Sequence, residues 1–131
     1  MKPKLSNEIH ELEKIVKLLI VTNKFSEDHQ KKIYHIISTT ASECNTTAQA
    51  VVYDKGRGNL TDAMHLCFYF LKKELNISLE SIRNIFLNIT ACSNISKAIK
   101  RISTLDPKSK PDSNMIIKRD QIQIQLKTKL S

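Results

Sequence analysis

The residues with chemistry to offer gather late in the chain. Ser93, Asn94, Lys97, Lys100 and Arg101 lie within one short stretch, Ala91–Ile102. The same stretch carries Ile95, Ala98, Ile99 and Ile102 at helical spacing, so it reads as an amphipathic helix with a polar, basic outer side. An asparagine amide pairs bidentately with adenine, and a lysine donates to guanine O6 and N7. Lysine and arginine also hold backbone phosphates. The chemistry this stretch offers is recognition of a polyanion.

Bond-making chemistry finds little support. His10, His29, His35 and His65 are scattered, the acids fall on helix surfaces, and no motif joins them into a nucleophile, base and orienting group. Cys44, Cys67 and Cys92 are widely spaced, with no Cys-x-x-Cys or His-x-x-x-His pattern, which argues against a structural zinc site. Cys44 and Cys67 fall on apolar faces, where cysteine serves as a small hydrophobe. Cys92 lies in the first turn of its helix, where a thiolate is favoured. Asp54–Asn59, DKGRGN, holds both glycines of the chain, but it lacks Gly-Lys-Ser/Thr and no buried strand precedes it. It is therefore no nucleotide-phosphate loop. The expectation is a protein without catalytic residues, metal or cofactor.

The elements that must position Ser93–Arg101 occupy Leu60–Ile102. Leu60, Ala63, Met64, Cys67, Phe68, Leu71 and Leu75 predict one long helix, started by Asn59 or Thr61 and broken at Asn76–Ile77. Ser78 is placed to cap a second helix with Leu79, Ile82, Ile85 and Phe86 inward. A polar turn over Leu87–Thr90 leads to the basic helix. A short helix, a tight turn and a second helix with basic residues on its polar side is the pattern of a helix-turn-helix DNA reader.

This stretch resembles the C-terminal, Trp-repressor-like DNA-binding domain of the bacterial replication initiator DnaA. That family reads approximately A-R-Q-I-A-M-Y-L-x-R-E-L-T, then S-L-x-E-I-G-x-x-F-G-x-R-D-H-T-T-V-x-H-A-x-x-K-I. Here the chain has A-M-H-L-C-F-Y-F-L-K-K-E-L-N from Ala63, S-L-E-S-I-R-N-I-F from Ser78 and I-S-K-A-I-K-R-I from Ile95. Framework positions Ala63, Tyr69, Glu74, Leu75, Ser78, Leu79, Ile82, Phe86, Ile95, Ala98 and Ile102 agree, within a similarity spanning roughly Glu27 to Ile102. The reading positions depart. The family's R-D-H-T-T falls on Thr90, Ala91, Cys92, Ser93 and Asn94. Met64 replaces its Arg, and Arg83 its Gly. The resemblance implies the fold, with Ser93, Asn94 and Lys97 nearest bases and Lys100 and Arg101 beside phosphates. It also implies a basic loop on the neighbouring backbone, of which Lys55 and Arg57 remain. No Walker-type loop accompanies it, so no ATPase module is implied.

Charge supports a polyanionic partner. The chain of 131 residues carries a formal charge of +8. Residues 1–89 hold 12 basic and 10 acidic side chains, whereas residues 90–131 hold 9 and 3, so the last third carries +6. Such an excess favours nucleic acid through counterion release; the bland alternative is charge for solubility.

The remaining organisation follows from the same periodicity. Residues 1–25 read as an amphipathic helix with Ile9, Leu12, Ile15, Val16, Leu19 and Ile20 apolar, followed by a linker. A Ser26-capped helix over Glu27–Glu43 opens the core segment, 26–106, with Ile33, Ile36, Ile37, Thr40, Ala41 and Cys44 inward. Thr46–Val52 reads as a short helix. Pro107–Ser113 reads as a hinge, and Asn114–Leu130 as a closing helix, although Gln121–Leu126 (QIQIQL) also alternates as a strand would. The N-terminus lacks a signal-peptide core and no run reaches membrane-spanning length, so a cytoplasmic protein is expected. Five Asn-x-Ser/Thr triplets then reflect composition alone.

The expected protein is an all-α, compact domain of about six helices containing a helix-turn-helix. It binds double-stranded DNA as a regulator or replication accessory, with no nucleotide and no membrane. The alternative is an interaction module or homodimer, joined through Ile9–Ile20 or Met115–Leu130, that keeps the scaffold without base reading.

Overall fold

The computed structural model describes residues 25–53, 58–86 and 91–130. Every regular element among them is a helix, and there are six: α1 (Glu27–Glu43), α2 (Ala48–Tyr53), α3 (Asn59–Leu75), α4 (Leu79–Ile85), α5 (Cys92–Ser103) and α6 (Lys110–Lys129). The all-α expectation therefore holds. The N-terminal amphipathic stretch with its Ile9–Ile20 face, the Lys55/Arg57 loop and the polar turn at 87–90 lie outside the described residues. No helix among those described is long and apolar enough to cross a membrane.

Local chemistry explains most boundaries. Ser26 caps α1, its hydroxyl accepting from the His29 N–H at 3.2 Å, with Glu27 and Asp28 in the positive first turn. Ser78 caps α4 in the same way through the Ser81 N–H at 3.1 Å. Asn76 ends α3 in the left-handed region, φ 51°, a conformation asparagine tolerates. The start of α3 differs from expectation. Asn59 is already helical, and Gly58 precedes it at φ 54° with no side-chain cap. Glycine reaches this backbone conformation without a Cβ penalty, so the turn is made by geometry instead of by an asparagine amide oxygen or a threonine hydroxyl.

The second correction concerns the C-terminal segment. The hinge expected over Pro107–Ser113 is shorter, because α6 begins at Lys110 with Pro111 in its first turn. Proline needs no N–H partner there, and its φ already suits a helix. The closing helix expected over Asn114–Leu130 is present, and Gln121–Leu126 lies in it instead of in a strand: Ile122 and Leu126 are buried, whereas Ile124 is 62% exposed. A strand would have put all three on one face.

The packing places α3 at the centre, against α1, α2, α4 and α5, while α6 lies along α1. Ile33, Ile36, Ile37, Leu66, Phe68, Phe70, Leu71, Ile82, Phe86 and Ile95 are buried in one core. Phe68 meets Phe86 edge-on at 4.8 Å between ring centroids. Each such side chain contributes roughly 1.5–3 kcal/mol by leaving water. Met115, Ile122 and Leu126 join that core, so the apolar stripe of Met115–Leu130 packs within the chain. Polar bonds seal the seam: Gln123 donates to Glu74 at 2.8 Å and accepts from Lys73 at 2.6 Å, and Gln125 donates to Glu43.

Candidate nucleic-acid interface

Helix α5 owes its orientation to Ile95, Ala98 and Ile102, which are buried against α3 and α4. With that stripe inward, Ser93, Asn94, Lys97, Lys100 and Arg101 are all exposed. Ser93, Lys97 and Lys100 follow at intervals of four and three residues, so they form one outer ridge. Neither Lys97 nor Lys100 makes a side-chain ion pair among the described residues. The C-terminal turn is fastened separately. Ser103 and Thr104 hydroxyls donate to the carbonyls of Ile99 and Lys100 at 2.8 and 2.7 Å. Arg119 of α6 donates to the Ile102 carbonyl at 3.0 Å.

Arg101 has a different setting from its neighbours. It shares a flank of α5 with Asn94, seven residues earlier, and this flank faces the start of α3. Its Nη1 lies 2.8 Å from Nδ1 of His65, and its Nη2 donates to Asp62 Oδ1 at 3.2 Å. A guanidinium has only donors, so His65 Nδ1 accepts and the ring is neutral, with its proton on Nε2. Burial holds the His65 pKa below its ordinary value, the Arg101 charge lowers it further, and Asp62 works against both. Sequence reasoning placed Arg101 beside phosphates and did not single out Asp62 or His65. The only local signal was two polar groups one turn apart on α3; their partner lies 36–39 residues further on.

Two of the cysteines are buried in the core. Burial raises the Cys44 thiol pKa, with Lys118 opposing and Asp62 and Glu43 reinforcing. Burial raises that of Cys67 still more, against the nearby Thr40 hydroxyl. Both thiols stay protonated and shielded, which disfavours nucleophilic attack. Among the described residues no group of three or more His, Cys, Asp or Glu side chains could hold a metal ion. Some cations elsewhere are engaged. Lys73 bonds Gln123 and lies 5.6 Å from the Tyr69 ring centroid, and Arg83 lies 3.8 Å from Glu80.

What the arrangement can do is present an exposed, cationic ridge with two short polar groups at its leading end, on a helix held rigidly by the core. Lys55 and Arg57 fall outside the described residues, between the end of α2 at Tyr53 and the start of α3. No protein-family model, curated protein or solved structure matches the chain.

Proposed function

We propose that this protein binds double-stranded DNA, with α4 and α5 acting as a helix-turn-helix of the DnaA C-terminal type and α5 entering the major groove. Ser93, Asn94 and Lys97 approach base edges, and Lys100 holds a phosphate. Lys55 and Arg57 engage the neighbouring backbone. The role is that of a regulator or replication accessory. The observation that carries this reading is the outer ridge of α5, where Lys97 and Lys100 are exposed, without counter-ions among the described residues, beside Ser93 and Asn94. The +6 charge of residues 90–131 works in the same direction.

The test is fluorescence anisotropy on mixed-sequence duplex DNA across a salt series, comparing the wild type with Lys97→Ala/Lys100→Ala. Each lost phosphate contact flattens the slope of log K against log salt by about 0.9. A steep slope that flattens in the double variant supports recognition through α5. A folded, monodisperse protein that binds no duplex at low salt sinks the reading.

One observation favours a second reading, an interaction module. Ile117 and Ile124 on α6 are 58% and 62% exposed, and they stand two turns apart on one face. A protein that fails to bind DNA but self-associates, with Ile117→Ser/Ile124→Ser restoring the monomer in sedimentation, would establish it.

A further inference from the structure

A cleft of about 250 Å³ opens where α3, α5 and α6 meet, lined by Asp62, Arg101, Pro111, Asn114, Met115 and Lys118. Its walls are held in place. The Arg119 bond to the Ile102 carbonyl ties α6 to the end of α5. The Asp112 carboxylate accepts from the Asp106 N–H at 2.9 Å and fixes the intervening turn. Two cations and one acid face the space, so its lining carries a net positive charge. The acid is already committed, since Asp62 accepts from Arg101 at 3.2 Å. Lys118 is half-buried, and among the described residues it has no ion pair and no hydrogen-bond partner. A partly desolvated ammonium beside a committed carboxylate calls for an anion from outside.

The geometry points to a phosphate-group seat in this cleft, formed by Arg101, Lys118 and the Asn114 amide. His65 and Asp62 take one terminal nitrogen each and hold the guanidinium plane, while its other N–H groups stay available to a tetrahedral oxyanion. The space is smaller than the roughly 300–1,000 Å³ of ordinary small-molecule pockets, which suits a phosphate group and not a bulky organic ligand. Two sources carry this chemistry: a backbone phosphate of a duplex lying on α5, or a free phosphate compound. The first rests on the DNA-binding reading; the second does not.

The experiment is an amide-NMR titration of the full chain with inorganic phosphate, with chloride at matched ionic strength as the control. It is run on the wild type, Lys118→Met and Asp62→Asn, alongside the duplex salt series. Lys118→Met keeps the packed stem and removes the charge; Asp62→Asn keeps an oxygen for Arg101 and removes the repelling charge. Saturable shifts near Arg101, Asn114 and Lys118 are expected with phosphate only. They should be lost in Lys118→Met and occur at about threefold or more lower phosphate in Asp62→Asn, as expected for one nearby unit charge removed. If Lys118→Met also flattens the duplex slope by about 0.9, the seat holds a DNA phosphate. An unchanged slope, or no duplex binding at all, assigns it to a free phosphate compound. Equal shifts with chloride, a Lys118→Met protein that titrates like wild type, or no tightening in Asp62→Asn would overturn the seat.

Discussion

The Arg101 guanidinium on α5 donates to the Nδ1 of His65 on α3 across 2.8 Å, and this bond joins the helix proposed to read DNA to the central helix of the core. It exists only while His65 is neutral. The charge state of one imidazole therefore bears on how firmly α5 is held.

A pH dependence follows. The folded-state pKa of His65 is lowered, chiefly by burial and then by Arg101, whereas in the unfolded chain it returns to about 6.5. The unfolded state therefore takes up its proton first as pH falls. The contribution of His65 to stability is fully present above about pH 6.5 and is lost as pH falls through the folded pKa. Urea unfolding should show wild type losing stability between pH 7 and 5. His65→Gln, which can still accept from Arg101, should lose less over the same range.

Among the cations of α5, stability and binding should separate. Lys97→Ala and Lys100→Ala, on the exposed ridge, should stay within about 0.5 kcal/mol of wild type in denaturant unfolding while weakening duplex binding. Arg101→Ala removes a pair whose side chains are 40% and 30% exposed, so solvent screening limits its cost to about 1 kcal/mol. A double-mutant cycle with Asp62→Ala should return a coupling below that figure. An Arg101→Ala protein as stable as Lys97→Ala would show that the Asp62–His65 clasp contributes nothing.

The helical register of α6 makes a sharp comparison available. Ile122 is fully buried and Ile124 is 62% exposed. Ile122→Ala should cost about 2–5 kcal/mol, and Ile124→Ala should cost less than about 0.5 kcal/mol. Similar losses at both positions would contradict the helix and restore the period-two alternation.

Backbone conformation supplies the fourth prediction. Gly58 has φ 54°, and a Cβ added there would meet nothing within 4 Å. Gly58→Ala should still destabilise by about 1–3 kcal/mol, because the cost is the strain of a positive φ with ψ −120° and not a clash. Asn76, at φ 51°, should accept glycine with little loss and resist valine. Thermal melts of the three variants test both positions.

The features legible in the sequence are local ones. Ser26 and Ser78 are caps because a hydroxyl at a helix entrance satisfies an otherwise orphaned N–H three residues on. Ile33, Ile36 and Ile37 on α1 with Cys44 just past its end, and Ile95, Ala98 and Ile102 on α5, are buried where their period of 3.6 residues put them. The exposed side of α5, and so Ser93, Asn94, Lys97, Lys100 and Arg101, follows from the same stripe.

The rest depends on how the helices pack. QIQIQL satisfies both a helix and a strand, since Ile122 and Leu126 share a face in either; the shared α1–α6 core and the Gln123–Glu74 and Gln125–Glu43 bonds select the helix. The capture of Arg101 by Asp62 and His65, and the cleft it forms with Asn114 and Lys118, join three helices far apart in sequence. Periodicity gives the face a residue occupies on its own helix, but which other helix meets that face depends on how the whole core packs.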